Sequence, residues 1–355
     1  MNVVIIGGGL AGLYTAYLCS HHYPHANIQI CEAHDRLGGR VYTVRKEEFQ
    51  FEGGSGRVGP RYAQPILWKL IDVLNRTRTL EEPLLELQPL QPLQDVRDIV
   101  RAVQLPPGPE RSAQQIRFGY DAEFELMNPQ VAAAYIERHF YGPFFSMRNG
   151  LDQITHRLEQ KVRKNPNVSV HLQKRIRNVT QTRADDLPYD KLFVCVEDPT
   201  KIEFESVQVP PELAFAQPVE LMRVFVQVHG NVSNEKRTGP GPVRMWIPMD
   251  PERGLYQIYT DSHWAREWNK IQKFEEKIRN TMVQNTVRMF LNDAYASVRV
   301  VDFEFWKTGV HVWTHPVEKL TQTPGGQVWF AGEVASVHAF GWMEGALDSV
   351  RAYFD

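Results

Sequence analysis

Three glycines near the start of the chain have the spacing of a turn that binds a diphosphate. Gly7, Gly9 and Gly12 form the pattern GxGxxG between an apolar run at residues 3–6 and a helical pattern that begins near Ala11. The first glycine permits a tight turn, the second lets a pyrophosphate approach the backbone, and the third lets the helix pack closely on the strand. Amides at the helix start, where the helix dipole is positive, would then face the diphosphate.

A carboxylate stands where a nucleotide sugar needs one. Glu32 ends a second apolar run at residues 27–31, twenty positions after Gly12. At the tip of a second strand, this side chain could accept hydrogen bonds from both hydroxyls of an adenosine ribose. A glycine-rich turn alone could be purely structural. Strand, turn, helix, strand and acid in this order predict a bound dinucleotide instead.

The segment that begins at Glu32 distinguishes between dinucleotides. Residues 32–40 read EAHDRLGGR, which resembles the EAxxRxGGR segment of the FAD-dependent amine oxidases and of their relatives, the phytoene desaturases and protoporphyrinogen oxidases. The resemblance implies FAD as the cofactor, with Gly39 letting the chain pass close to the diphosphate. It also implies that Arg40 neutralises the diphosphate charge, and a planar guanidinium suits phosphate oxygens. The alternative is that Arg36 and Arg40 are solvated surface charges.

Two internal segments add contacts that the same resemblance implies. Residues 49–59 read FQFEGGSGRVG and match the place where the family's chain passes the isoalloxazine ring, so Gly56 and Arg57 are candidate cofactor contacts. Arg57 is an equally good candidate for a salt bridge at the surface. Ile176 falls where the family contacts adenine through the backbone of a small aliphatic residue.

The end of the chain resembles the family most closely. Residues 327–333 and 340–347 match the family pattern FAGE…GxMEGAxxSG almost residue by residue. The resemblance implies that Glu333 contacts the ribityl chain and that amides near Met343 face the pyrimidine edge of the flavin. A helix start there would favour negative charge on the reduced flavin. The cofactor contacts implied at this end are Gly332, Glu333, Trp342, Met343 and Ala346.

The resemblance implies three catalytic residues, and two of them depart from the family's usual types. Trp342 and His311 match the two aromatic positions that flank the amine slot, although the family usually has tyrosine where this chain has His311. Arg223 falls where the family usually has a lysine beside flavin N5, and an arginine stays charged at any working pH. Trp306 matches a tryptophan of the pocket wall. Val310 stands where the covalent enzymes carry a cysteine, which implies FAD bound without a covalent link.

The predicted function is that of an FAD-dependent oxidoreductase that oxidises an amine by hydride transfer to flavin, with O2 as the electron acceptor and a small amine as the substrate partner. Arg223 could stabilise superoxide, bind an acidic substrate, or only bridge Glu220 or another neighbour. His311 could be a polar residue with satisfied hydrogen bonds. An FAD-dependent desaturase or protoporphyrinogen-type oxidase is the alternative enzyme. A flavoprotein with a mainly structural or binding role is the alternative outside enzymology.

These positions require an α/β fold in which distant segments meet. The βαβ order, together with the resemblance, predicts a Rossmann-like FAD/NAD(P)-binding domain of the GR2 type and an interleaved α+β substrate domain. Residues 1–75, 146–198 and 315–355 would form the cofactor domain. Residues 76–145 and 199–314 would form the substrate domain.

Apolar periodicity predicts the elements that hold these positions. The predicted helices cover residues 65–74, 127–140 and 154–162, with one long helix over 270–291. The predicted strands, besides those at 3–6 and 27–31, cover residues 49–51, 168–172, 189–196, 224–228, 244–247, 255–259 and 298–305. The strand at 189–196 is expected to close its half of the sheet. Residues 80–109, rich in Leu, Pro and Gln, predict an excursion into the second domain or a flap over the site.

Composition narrows the classes of protein. The 355 residues are 43% hydrophobic with a formal charge of −2, which allows a large core and gives no support for binding to nucleic acid or to membranes in general. The three cysteines lie in apolar runs and are expected to be core residues of a reducing intracellular compartment, not disulfides or metal ligands. With no signal peptide and no run of membrane-spanning length, we expect a soluble protein.

Overall fold

The computed structural model describes residues 1–79, 84–90, 126–230 and 232–355. The excursion predicted at residues 80–109 therefore lies outside the described residues, apart from 84–90. In the part of the chain that is described, the two largest sheets have five strands each; one is parallel and the other antiparallel.

Helices pack on both large sheets, and short 3-10 turns connect several strands. In chain order the helices are α1 (Leu10–His22), α2 (Pro65–Arg76), α3 (Pro129–His139), α4 (Asp152–Arg163), α5 (Ser262–Ile271), α6 (Glu276–Leu291) and α7 (Met343–Phe354). The 3-10 turns are Pro199–Lys201, Pro211–Phe215, Pro251–Arg253, Pro324–Gly326 and Glu333–Ala335.

The strands range from two-residue ladders to a seventeen-residue strand. In chain order they are β1 (Asn2–Ile6), β2 (Asn27–Cys31), β3 (Thr43–Lys46), β4 (Phe49–Glu52), β5 (Leu87–Pro89), β6 (Phe145–Met147), β7 (Val168–His171), β8 (Asn178–Val179), β9 (Arg183–Ala184), β10 (Leu187–Pro188), β11 (Lys191–Val194), β12 (Glu203–Phe204), β13 (Ala216–His229), β14 (Arg237–Thr238), β15 (Met245–Asp250), β16 (Leu255–Asp261), β17 (Ser297–Trp313) and β18 (Val328–Phe330).

The first strand is the centre of the parallel sheet, whose order is β18-β11-β1-β2-β7. Residues 3–6 are at most 4% exposed, because both faces of the sheet are covered. One face packs on α1, α4 and α7 through Leu13, Leu158 and Leu347. The other face packs on the small sheet that contains β8, β9 and β10. This double coverage is the reason why β1 is a continuous apolar run and not an alternating one.

The antiparallel sheet has the order β14-β15-β16-β13-β17, and its two faces pack against different parts of the chain. Because side chains alternate along a strand, neighbours on β13 belong to different clusters. Met222 packs with Trp268 of α5 and Val287 of α6. Leu221 packs on the other side, in a cluster with Trp342 at the start of α7. This second face therefore packs on the segment that connects β18 to α7, and the candidate site is built there.

Two predictions about elements were wrong. The strand predicted at residues 189–196 lies inside the sheet, because β18 returns after the antiparallel sheet and pairs with it, Val194 beside Phe330. The long helix predicted at 270–291 is two helices, with turn bonds from Lys273 and Phe274 ending the first. The break lets α5 pack on β13 and β16 while α6 packs on β17. Both pieces have helical periodicity, so the sequence pattern does not show where one ends.

The cysteines lie where the apolar runs placed them. Cys19, Cys31 and Cys195 are buried free thiols in α1, in β2 and directly after β11. Among the helices of the described ranges, none combines the length and apolarity that crossing a membrane requires.

Candidate functional site

The glycine turn between β1 and α1 has one position that its own packing leaves open. Gly7 has φ +101°, and a Cβ there would overlap the carbonyl oxygen of Cys195. A Cβ on Gly12 would overlap the carbonyl oxygen of Gly7. On Gly9, the nearest heavy atom to such a Cβ would be 3.8 Å away, in Gly39. Packing thus explains the first and third glycines, whereas the second leaves room for a ligand to approach the backbone.

A second glycine pair lies directly against this turn. The amide of Gly38 donates to the carbonyl of Gly8 over 2.9 Å, and a Cβ on Gly39 would lie 3.1 Å from the α-carbon of Gly9. Gly8 and Gly9, together with Gly38 and Gly39, form a surface of backbone without side chains, called the glycine floor below. It lies beside the first turn of α1, where Ala11 is buried. The amide groups and the positive end of the helix dipole at such a terminus bind anions.

The carboxylate of Glu32 lies beside that floor and is buried. Its Oε2 accepts a hydrogen bond from the amide of Gly8 over 2.7 Å, and its Oε1 accepts one from the amide of His34 over 2.8 Å. Two backbone donors hold the carboxylate in place at the end of β2, and its remaining lone pairs can still accept hydrogen bonds. The acid predicted at the strand tip is therefore oriented by the chain itself.

A buried carboxylate joins the first segment of the chain to the last. Nη1 of Arg40 donates to Oε1 of Glu333 over 2.7 Å and to the carbonyl of Gly309 over 3.0 Å. Nδ1 of His311 lies 2.6 Å from the same Oε1. The amide of Gly341 donates to Oε2 over 2.9 Å. The alternative in which Arg40 is a solvated surface charge is wrong.

This network fixes the charge of Glu333. Burial by itself disfavours the ionised carboxyl, but the guanidinium of Arg40 and the hydrogen bonds from the His311 ring and from the amide of Gly341 outweigh it and hold the pKa of Glu333 well below its usual range. Glu333 is therefore a carboxylate, and it accepts every hydrogen bond it makes. A buried carboxylate is stable only when it is paired in this way.

Trp342, next to Gly341, is enclosed by rings from the segment around α3. Its ring stacks on Phe144, with the centroids 5.8 Å apart, and on His139 at 5.5 Å. The guanidinium of Arg57 lies 5.4 Å from the Trp342 ring and 4.3 Å from that of Phe144. Nε1 of Trp342 is buried, and no residue of the described chain accepts its hydrogen bond. A donor left in this way is where a bound molecule can place an acceptor.

Arg223 reaches the glycine-rich segment after β4. Its Nη1 donates to the carbonyl of Glu52 over 2.7 Å, and its guanidinium lies so close to Gly56 that a Cβ there would be 3.1 Å from Nη2. Burial lowers the pKa of Arg223. Glu220 pairs instead with Arg266 over 2.6 Å, so the alternative in which Arg223 bridges Glu220 is wrong. Gly56 precedes Arg57, and this links Arg223 to the rings around Trp342.

The remaining predicted contacts occupy defined places. Ile176 follows β7 and is buried against the small sheet. Gly332 has φ +125°, and its amide donates to Oγ of Ser349 over 2.9 Å. Met343 and Ala346 are buried in the first turn of α7. The helix start predicted from this motif is thus observed at Met343.

Four titratable residues near the site were not found from the sequence. Burial raises the pKa of Glu52 and of Glu304 to about 7, and the charge of Arg223 acts on both. Burial also lowers the pKa of His139, which stacks on Trp342, to about 4. Burial and the charge of Arg57 lower the pKa of Lys236 to about 8. Glu52 had one sequence signal, which is its place between an apolar strand and two glycines in FQFEGG. Glu304, His139 and Lys236 have none.

The fold and the glycine floor define the class of protein. A parallel sheet centred on β1, a bare-backbone turn at the start of α1 and an acid at the end of β2 form a Rossmann-like dinucleotide-binding domain. A family model described as an NAD(P)-binding Rossmann-like domain matches residues 5–74. The predicted α/β fold class is confirmed.

Curated relatives narrow the class. A segment of 60 residues is 45% identical to flavin-containing amine oxidase A of Bos taurus, covering 17% of this chain and 11% of that protein. A segment of 72 residues is 35% identical to chloroplastic protoporphyrinogen oxidase of Nicotiana tabacum, covering 20% of this chain and 12% of that one. The matched segments are thus about a tenth of the relatives' lengths. The resemblance to the flavin-containing amine oxidases is confirmed as homology over such a segment.

Solved structures extend the likeness to the whole fold. Wild-type putrescine oxidase bound to putrescine has a TM-score of 0.67 and 14% identity, over 100% of this chain and 99% of that one. A protoporphyrinogen-oxidase-like protein of Exiguobacterium has a TM-score of 0.64 and 14% identity, over 99% of this chain and 97% of that one. At this identity the likeness establishes a common fold.

Proposed function

We propose that this protein is an FAD-dependent oxidoreductase that oxidises a small amine, with O2 as the electron acceptor. The observation that carries the proposal is the carboxylate of Glu333, which connects Arg40 near the glycine floor to His311 and to the backbone beside Trp342. One end of this network lies beside a dinucleotide-binding turn, and the other lies at the residues that match the amine slot. A cofactor that extends from a nucleotide to a reactive ring suits that arrangement.

The residues present fit FAD on two observations. A Cβ on Gly9 would meet no atom closer than 3.8 Å, so packing of the chain does not require glycine there, and Nε1 of Trp342 is a buried donor with no acceptor in the described chain. The residues that would hold FAD are Gly7, Gly9, Ala11, Gly12, Glu32, Gly39, Arg40, Gly56, Arg57, Ile176, Gly332, Glu333, Trp342, Met343 and Ala346. When bound, the flavin supplies a hydride acceptor that can pass electrons on to oxygen.

The chain's own residues would bind and orient the amine. Rings of Trp342 and His311 would flank the slot, and Trp306 would form its wall, held by a 2.7 Å hydrogen bond from its Nε1 to the carbonyl of Gly53. Burial disfavours an ammonium ion and favours the neutral amine, which is the reactive form. Arg223 would keep a positive charge near the slot, where it can stabilise an anion such as superoxide.

Binding without a covalent link is supported by the cysteines. Burial raises the pKa of Cys19 to about 12, that of Cys31 to about 11 and that of Cys195 to about 12, so none is a ready nucleophile. Position 310, in the strand that carries His311, is a valine. Three free thiols also suit a reducing intracellular compartment.

Oxidation of a porphyrinogen or a related apolar substrate is the second candidate, because segments and fold are shared with protoporphyrinogen oxidases as well. The test is an anaerobic titration of the purified yellow protein with putrescine, spermine, phenylethylamine and protoporphyrinogen, followed by admission of air. Bleaching by an amine, with peroxide formed on reoxidation, is the expected result. Bleaching by protoporphyrinogen alone would favour the second candidate. Bleaching by dithionite alone would contradict an enzymatic role. A folded, colourless protein that does not bind added FAD would contradict a flavin role.

A further inference from the structure

His311 is buried and held by a hydrogen bond to Glu333, which a residue that only lines a slot does not need. It lies on β17 opposite Pro218 of β13 and is 4% exposed. Its Nδ1 is 2.6 Å from Oε1 of Glu333, a separation typical of a strong, charge-assisted hydrogen bond. Its partner, Glu333, is 6% exposed. A buried imidazole paired with a buried carboxylate is the arrangement that orients a histidine base in many hydrolases.

The partners of Glu333 determine which ring nitrogen carries the hydrogen. Because Glu333 is a carboxylate, it can only accept, so Nδ1 of His311 must donate. In the neutral ring, Nε2 then has a lone pair and can accept a proton. Arg40 binds the same Oε1 over 2.7 Å and already balances its charge.

The same carboxylate sets the position of the histidine relative to Trp342. Oε2 of Glu333 accepts from the amide of Gly341, the residue before Trp342. A Cβ on Gly341 would lie 3.7 Å from the side chain of Val310, the residue before His311. The two residues assigned to the walls of the slot are thus held on adjacent backbone segments by one group.

We propose that His311 accepts the proton of a bound ammonium substrate, and that Glu333 is a positioning residue that keeps Nδ1 protonated and Nε2 free. The inference rests on the proposed function. In this step one ammonium N–H bond breaks and an Nε2–H bond forms, while the electron pair stays on the substrate nitrogen as the lone pair of the neutral amine. The imidazolium that results lies beside the carboxylate of Glu333, which stabilises it. It later returns its proton to water.

The test compares two amines in the holoenzyme. His311→Asn keeps an N–H donor toward Glu333 but has no base, and His25→Asn, at an exposed turn, is the matched control. Anaerobic flavin reduction is followed with phenylethylamine and with its β,β-difluoro analogue, whose ammonium group is more acidic. At neutral pH, His311→Asn should reduce the rate with phenylethylamine by about 100-fold, and the loss should be much smaller with the analogue and at high pH. An equal loss with both amines at every pH would overturn the proposal.

A measurement that does not depend on turnover separates this inference from the proposed function. Nitrogen-15 NMR of histidine-labelled holoprotein, with His311 assigned by its absence in His311→Asn, should show a neutral ring protonated at Nδ1. Glu333→Gln should shift the population toward protonation at Nε2. An Nε2–H or doubly protonated ring in the wild type at neutral pH would overturn the inference. If the ring is as expected but no amine bleaches the flavin, the proposed function fails and the proton-acceptor role fails with it.

Discussion

The two ends of the candidate site are built in different ways. At the nucleotide end, bare backbone from two short segments, around Gly9 and Gly39, forms the surface. At the other end, which is proposed to bind the amine and is called the amine end below, side chains from distant segments converge. Arg40, His311 and Glu333 meet there although 293 positions separate the first from the last. The first end depends on the absence of side chains, and the second depends on pairing of buried charges. Substitutions should therefore damage the two ends in different ways.

Gly9→Ala, which should affect ligand binding far more than folding, tests whether the nucleotide end serves a ligand. Gly9 has φ −72°, which alanine adopts, and its Cβ would meet nothing closer than 3.8 Å. We expect the apoprotein to lose at most about 1 kcal/mol of stability, but FAD affinity to fall by about 100-fold or more, equivalent to about 2.7 kcal/mol.

Gly12→Ala is the contrasting variant for that experiment, because its Cβ would overlap the carbonyl of Gly7. It should lower the thermal unfolding temperature of the apoprotein as well as FAD binding. Calorimetry of the apoproteins and flavin titration by fluorescence give both quantities. Normal FAD affinity in Gly9→Ala would refute the assignment of the turn.

Glu333→Ala tests the amine end, where charge pairing should govern stability. The substitution leaves His311 and Arg40 without their shared counter-charge, and we expect a loss of about 3 kcal/mol in the free energy of unfolding by urea. Glu220→Ala removes the partner of Arg266 in a more exposed pair and should cost less than about 1 kcal/mol. Equal costs for the two variants would show that the network is no different from a surface ion pair.

Glu52→Gln sharpens the comparison through pH. The folded-state pKa of Glu52 is raised by burial from 4.5 to about 7, so its favourable contribution is present below pH 4.5 and is lost as pH rises through 7. The variant should match the wild type near pH 4 and be more stable near pH 8, by up to about 3 kcal/mol. The exposed Glu47→Gln serves as the control. A stability difference that does not change with pH would contradict the burial of an ionising group there.

Arg223→Lys is expected to have the smallest effect. A lysine at this position can release a proton, as an arginine cannot, and we expect reoxidation of the reduced flavin by O2 to be several-fold faster in stopped-flow measurements. Arg266→Lys, in the exposed pair with Glu220, is the matched control. An unchanged reoxidation rate would remove Arg223 from the site.

The predictions from the sequence succeeded where the constraint is local. The strand at residues 3–6, the helix that begins within the glycine turn and the helix start at Met343 follow from contiguous patterns, and the structure has all three. The prediction of one helix over residues 270–291 failed because the apolar periodicity does not change at the turn between α5 and α6. The acids Glu52 and Glu304 were missed because their raised pKa values come from burial, which the local pattern does not report.

The sequence by itself determined the first βαβ unit, because its strand, turn and helix are adjacent in the chain and the glycines are required by contacts within a few residues. Only the tertiary structure decided what Arg40 and His311 contact. Their common partner, Glu333, arrives with the last strand of the sheet, after β18 pairs with β11. A buried charged side chain pairs with the opposite charge that lies near it in the folded protein. The spacing of residues along the chain does not give that distance.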